Sequence, residues 1–163
     1  MWGSTTSNTN TLCDWEHAPF NNGSTEYNEE YFNSVKDNVC PNGILAKEYD
    51  AARANMGGDW RMPTEAEIKE LCAETNNGWT QVNDALGWKF TSKVDASKYI
   101  FIRVAEYRMG SSFTSSNYGA IWSSSLNTSD RSAACRLYFD YYGGVGVDNH
   151  FNRYFGFSVR GVL

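Results

Sequence analysis

Apolar side chains recur at helical spacing in the first half of the chain and at alternate positions in the second. Tyr49, Ala52 and Met56 fall on one face of a segment that Gly57-Gly58 then stops, which predicts a helix over Lys47–Met56. Thr64, following Pro63 and preceding Glu67 by three positions, is a capping-box signature. It predicts a second helix over Ala66–Glu74, with Ile68, Leu71 and Cys72 turned inward. Glu65 and Glu67 suit the positive end of that helix, so capping accounts for both carboxylates better than acid–base chemistry does. Leu12–Phe32 is punctuated by Gly and Asn and reads as a packed irregular loop, followed by a short helix over Glu29–Val35.

Beyond Asn76-Asn77-Gly78 the period shortens. Trp79–Val82, Trp88–Thr91, Tyr99–Val104, Ile121–Ser125, Leu137–Asp140, Val145–Asp148 and Phe157–Val162 read as strands. Gly143-Gly144 predict a hairpin turn. In the tail, Leu137, Phe139, Val145, Val147, Phe157 and Val159 are expected to be buried. Arg136, Tyr138, Asp140, Tyr141, Tyr142, Asp148, Asn149, His150, Asn152 and Tyr154 are expected to look outward. Tyr, Arg, Asn, Asp, Ser and Gly are the side chains of an adaptable binding surface.

Composition sharpens this picture. Lys, Glu, Gln, Met and Trp occur 27 times between Met1 and Trp122 and not once from Ser123 to Leu163. Randomising the adenines of AAC codons yields NNC, which encodes every residue type except those five. A strand-rich segment poor in helix formers is the plainer explanation, but it leaves the missing Trp unexplained beside so many Tyr and Phe.

The 163 residues suit one domain, and a net charge of −5 with no basic stripe argues against nucleic acid as a partner. No apolar run reaches membrane-spanning length, so direct membrane insertion is not expected. Met1–Thr11 is polar, lacks signal-peptide character and reads as a linker to a longer protein, leaving 12–163 as the domain. Cys13, Cys40, Cys72 and Cys135 contain no CxxC pair, which argues against structural zinc. Cys13 and Cys40 flank the same insert and are either bridged or buried thiols. His17, beside Trp15 and Pro19, reads as a hydrogen-bonded packing residue.

WRMPTEAEIKEL (60–71), AEYRMGSS (105–112), IWSSS (121–125) and GFSVRGV (156–162) together resemble the Fibrobacter succinogenes major paralogous domain. That family lies within the C-type lectin-like group that also holds the formylglycine-generating enzymes. DWEHAPFNNG and NVCPNGILAKEYDAA look like the insert and first helix of the variable proteins of diversity-generating retroelements, found in gut Bacteroides-type bacteria and their phages. Arg103 and Glu106 depart from the usual IFIPAAGYR, and no Pro follows Arg160. The resemblance implies an α+β, C-type lectin-like fold: two helices, small mostly antiparallel sheets and long irregular segments. It also implies a variable region of about 123–157 on a protein of a cell surface or phage tail.

Function is implied in the same way: non-enzymatic binding of a protein or glycan ligand on a cell surface, with no cofactor or metal. The positions reachable from AAC that this assigns to the ligand are Asp130, Arg131, Ser132, Arg136, Tyr138, Asp140, Tyr141, Tyr142, Gly144, Gly146, Asp148, Asn149, His150, Asn152, Tyr154 and Phe155. Two other readings are an oxidoreductase relative of the formylglycine-generating enzymes and a structural tail-fibre domain of fixed specificity. The oxidoreductase reading needs a copper-binding cysteine pair or a histidine iron site, and the chain has only His17 and His150. A calcium-dependent sugar lectin would carry Glu-Pro-Asn or Gln-Pro-Asp with Trp-Asn-Asp, and none of these triplets occurs.

Overall fold

The structure, a computed structural model, describes residues 1–6, 12–114 and 117–163. Its architecture is α+β: α1 (Glu29–Val39), α2 (Ala51–Met56) and α3 (Glu65–Glu74), with three small antiparallel sheets. The sheets are β1 (Thr75–Val82), β2 (Ala85–Ser92) and β3 (Tyr99–Arg103); β4 (Arg108–Met109) with β5 (Ser112–Phe113); and β6 (Tyr118–Leu126), β7 (Ala133–Asp140) and β8 (Val145–Asn152).

The helix over Ala66–Glu74 forms one residue longer, with the capping box in place. Glu67 accepts from the Thr64 backbone N–H at 2.9 Å and from both Arg61 terminal nitrogens at 2.7 and 2.6 Å. The helix expected over Lys47–Met56 is interrupted. Asp50 takes extended backbone (φ −84°, ψ 112°) and its carboxylate accepts from Arg53 N and Met62 N, so it starts α2 and ends a 3-10 turn at Lys47–Tyr49. The shorter helix expected over Glu29–Val35 extends to Val39 and is the longest of the three, capped by the Asn28 side chain on Tyr31 N. The strand expected over Phe157–Val162 does not form. That segment makes isolated bridges, Ile121 to Ser158 and Arg61 to Val162, and Val159 is 40% exposed rather than buried.

The β6–β7–β8 sheet is buried on both faces along much of its length. On one side Ala120, Trp122, Ala134 and Phe157 pack with Trp2, Phe32, Val39, Leu45, Ala52 and Met62. On the other, Ile121, Leu137 and Phe139 pack with Ile68, Trp88, Phe90 and Ile102. Burying a large apolar side chain contributes about 1.5–3 kcal/mol, so these two layers carry the domain.

Ser123–Ser125 interrupt the β6–β7 register and fasten three distant segments. Ser123 O accepts from the Trp2 indole at 2.9 Å, Ser124 O from Leu45 N at 2.9 Å, and the Ser125 hydroxyl from Glu65 N at 3.0 Å. Trp2 is 0% exposed, which corrects the expectation of a linker at the chain's start: Met1 and Trp2 are buried in the domain because the indole is large, apolar and satisfied there. Residues 7–11 of that expected linker lie outside the described residues. Cys13 and Cys40 are both free and buried, in separate clusters, so of the two alternatives the buried thiols are the one found. His17 Nδ1 lies 2.7 Å from Asp14 Oδ1, a hydrogen bond at the surface rather than within a packed interior.

Candidate functional site

The sixteen expected ligand positions do not form one patch; the sheet distributes them over two ends and one face. Strand β7 spans eight residues, roughly 26 Å at the usual rise, and separates the β6–β7 turn from the β7–β8 hairpin.

At the β6–β7 turn, Asp130, Arg131 and Ser132 are engaged locally. The Asp130 carboxylate accepts from Ser132 N and Oγ, and Arg131 donates to Asn33 at 2.6 Å. Asn149 and His150 form a bulge on β8, between the Ala134–Phe151 and Arg136–Asp148 pairs. Asn149 O accepts from the Asn127 side chain at 2.8 Å. Asn152 pairs with Ala133 at the same end. Tyr154 and Phe155 are half-buried against other rings: Tyr154 meets Trp15 edge-on at 5.1 Å, and Phe155 stacks on Phe157 within 8°. They are diverted inward because the insert and the N-terminal segment cover this end of the sheet.

Between Tyr154 and Asn152 lies Arg153, fully buried and absent from the expected set. Its guanidinium sits 3.9 Å from the Phe32 ring centre, donating from Nε to Arg131 O at 2.9 Å and from Nη1 to Pro19 O at 3.4 Å. Burial pushes its pKa down to about 10, against the opposing pull of the Tyr27 phenol. It is a structural cation, held by carbonyls and rings.

The hairpin end is open. Tyr142 is 88% exposed and Tyr141 58%. Tyr141 stands edge-on between Tyr142 (5.6 Å) and Trp79 of β1 (5.7 Å), making a row of three aromatic rings. Asp140 is turned into the hairpin, where its carboxylate accepts from Tyr142 N at 2.8 Å and Gly144 N at 3.1 Å. Gly143 takes φ +98°, which the turn requires and other residues resist. Asp140 and Gly144 therefore shape the turn.

The face of the sheet joins the two ends. Here Tyr138 lies parallel to Tyr118 within 8°, centroids 6.5 Å apart, and Tyr118 meets Tyr107 edge-on at 5.6 Å. A Cβ built on Gly146 would fall 3.4 Å from Tyr138 Cε1, so the Tyr138 ring lies over a residue without a side chain. Beneath the tyrosines, Arg136 is 3% exposed, against the expectation that it looks outward. Its strand neighbours on this face are Trp122 and Asp148, and the aromatic layer covers it: the guanidinium lies 3.1 Å from the Phe151 centroid and 4.8 Å from that of Phe157. Burial also lifts the Tyr118 phenol to about 12.

Of the sixteen, Asp130, Tyr141, Tyr142 and His150 are exposed, Arg136 is buried and the rest are half-buried; Tyr138, Gly146 and Asp148 are the half-buried ones around Arg136 on the sheet face. Outside the tail, Trp79, Tyr107 and Tyr118 pack beside these residues, and none of the three is among the sixteen expected positions. Tyr118, Ala120 and Trp122 share one face by simple alternation, so extending the expected strand back from Ile121 would have found Tyr118.

The Cys135 thiol is buried opposite the bulge, beside Glu65, and burial pushes it up to about 12. Among the described residues no cluster of His, Cys, Asp and Glu is arranged to hold a metal, and no helix is long and apolar enough to cross a membrane. Comparison of the chain with family models, with curated proteins and with solved structures finds no match.

Proposed function

We propose that this is a non-enzymatic binding protein with a C-type lectin-like scaffold, its C-terminal surface diversified by a retroelement to take varied protein or glycan ligands at a cell surface or phage tail. The observation that carries this is the complete loss of Lys, Glu, Gln, Met and Trp after Trp122. The layout of the hairpin half of the sheet supports it. Leu137 and Phe139 are fully buried, whereas Tyr138, Tyr141 and Tyr142 alternate or follow at the rim. Large-to-small changes in such a core cost about 2–5 kcal/mol, while exposed changes stay within about 0.5 kcal/mol. Rim positions can therefore be rewritten without unfolding the domain.

The ligand-facing set in this reading is narrower than sixteen residues. Tyr138, Tyr141, Tyr142, Gly146, Asp148 and His150 contact the ligand, with Trp79 and Tyr118 as fixed support.

Sequencing the flanks of the gene tests the reading. A near-copy of the last coding segment is expected beside a reverse transcriptase, differing only at adenines and carrying Asn codons at the rim positions. Differences spread over all four bases would reject it.

A further inference from the structure

The two buried arginines of the tail are satisfied differently. Arg153 has backbone carbonyls for its Nε and Nη1, and only its Nη2 is buried without a partner. Arg136 has no such acceptors: its Nε and Nη1 are buried without a hydrogen-bond partner among the described residues. Among the described residues its guanidinium makes one hydrogen bond, from Nη2 to Asp148 Oδ2 at 3.3 Å. That contact is long for a charge-assisted hydrogen bond, which ordinarily closes to about 2.7–2.9 Å.

Asp148 is a weak counterion for a second reason. Its other oxygen accepts from His150 N at 2.9 Å, and its side chain is 25% exposed, so water shares its charge. Burial lowers the Arg136 pKa in spite of Asp148 and the Tyr118 phenol. A buried donor left without an acceptor is costly, and more so when charged. Natural folds keep such a group where something else meets it.

The surroundings indicate what meets it. Arg136 lies one side chain below the surface, with its guanidinium 5.4 Å from the Tyr118 centroid and 6.0 Å from that of Tyr138. Tyr138 is half-buried, and no side chain at Gly146 holds its ring in place. A guanidinium with spare N–H groups between aromatic walls matches a planar carboxylate, which accepts two parallel bonds from it. A neutral hydroxyl would meet the donors but leave the charge unbalanced.

We infer that this face takes a carboxylate of its ligand, seated against the Nε–H and Nη1–H groups of Arg136 once the Tyr138 ring swings aside. The inference rests on the binding-face reading above and narrows it to acidic ligands, whether the acid is that of a sialylated sugar or of a protein side chain.

The test is the Arg136 Nε–H resonance in the ¹H–¹⁵N spectrum of the wild-type protein, assigned by through-bond correlation along the Arg136 side chain to its own backbone amide. N-acetylneuraminic acid and acetyl-aspartyl amide are the two acidic probes, each paired with its methyl ester. At least one acid should move the resonance saturably while its ester does not; the acid that moves it identifies the source. Arg136→Lys, which keeps the charge but loses the fork, should weaken that binding by about tenfold or more. The inference is overturned if neither acid moves the resonance, or if the esters move it equally. The wild-type comparison decides this even if Arg136→Lys fails to fold. A target captured through Tyr141 and Tyr142 but indifferent to esterification and to Arg136→Lys would sink the acid inference and leave the binding face intact.

Discussion

Gly119 stands directly opposite Phe139 across the β6–β7 pair, and the Phe139 ring fills the space that a side chain at Gly119 would need. The ring also packs against Trp88 with centroids 6.2 Å apart, which ties the C-terminal sheet to the β1–β2–β3 sheet. Gly119→Ala should therefore destabilise by about 1–3 kcal/mol through overpacking. Denaturant unfolding should show a lower midpoint with an unchanged slope.

Trp2 is the second stability test. Truncating a buried Trp costs about 3–5 kcal/mol. Trp2→Ala should lose an amount of that order, because it also strands the Ser123 carbonyl that the indole satisfies. A melting temperature equal to wild type would return the first residues to the status of a linker.

The Arg61–Glu67 pair predicts an acid-sensitive helix start. The Arg61 guanidinium first, and the Thr64 backbone and hydroxyl next, hold the Glu67 carboxyl down to about 2. A free Glu titrates near ~4.3. Since the folded value is the lower one, the stabilisation is fully present above the unfolded pKa and is lost as pH falls from there toward 2. Glu67→Gln should flatten that part of the stability–pH curve. The side chain is 39% exposed, so solvent screening keeps the effect modest.

Tyr141 and Tyr142 separate support from contact. Tyr142→Ala should leave stability within about 0.5 kcal/mol of wild type. Tyr141→Ala should cost about 0.5–1.5 kcal/mol more than that, because it loses the edge-on contact with Trp79. Both should abolish or weaken capture of a cognate ligand. Thermal melts and a binding measurement on each single variant distinguish the two roles.

The elements that local chemistry dictates were legible in the sequence. Thr64 and Glu67 mark the start of α3, and Gly143 marks the hairpin, because capping and positive φ are decided within a few residues. The break at Asp50 was not legible, since its carboxylate bonds to Met62 N, twelve positions away. Alternation placed Leu137 and Phe139 inside correctly. It failed at Arg136 because alternation presumes one wet face, and here Phe151 and Phe157 cover the second face over Arg136. At Tyr154 the partner is Trp15, 139 positions earlier, and nothing nearby in sequence reports that contact.

The triple-serine bulge also governs the order in which the polypeptide can mature. The Trp2 indole cannot reach its acceptor until residue 123 has left the ribosome, a separation of 121 positions, and Glu65 and Pro63 wait for the same stretch. Closing such long loops costs entropy before any contact rewards it. The early-made portion therefore lacks these fastenings until the last quarter arrives, and a tail that cannot supply them leaves Trp2, Pro63 and Glu65 without their partners.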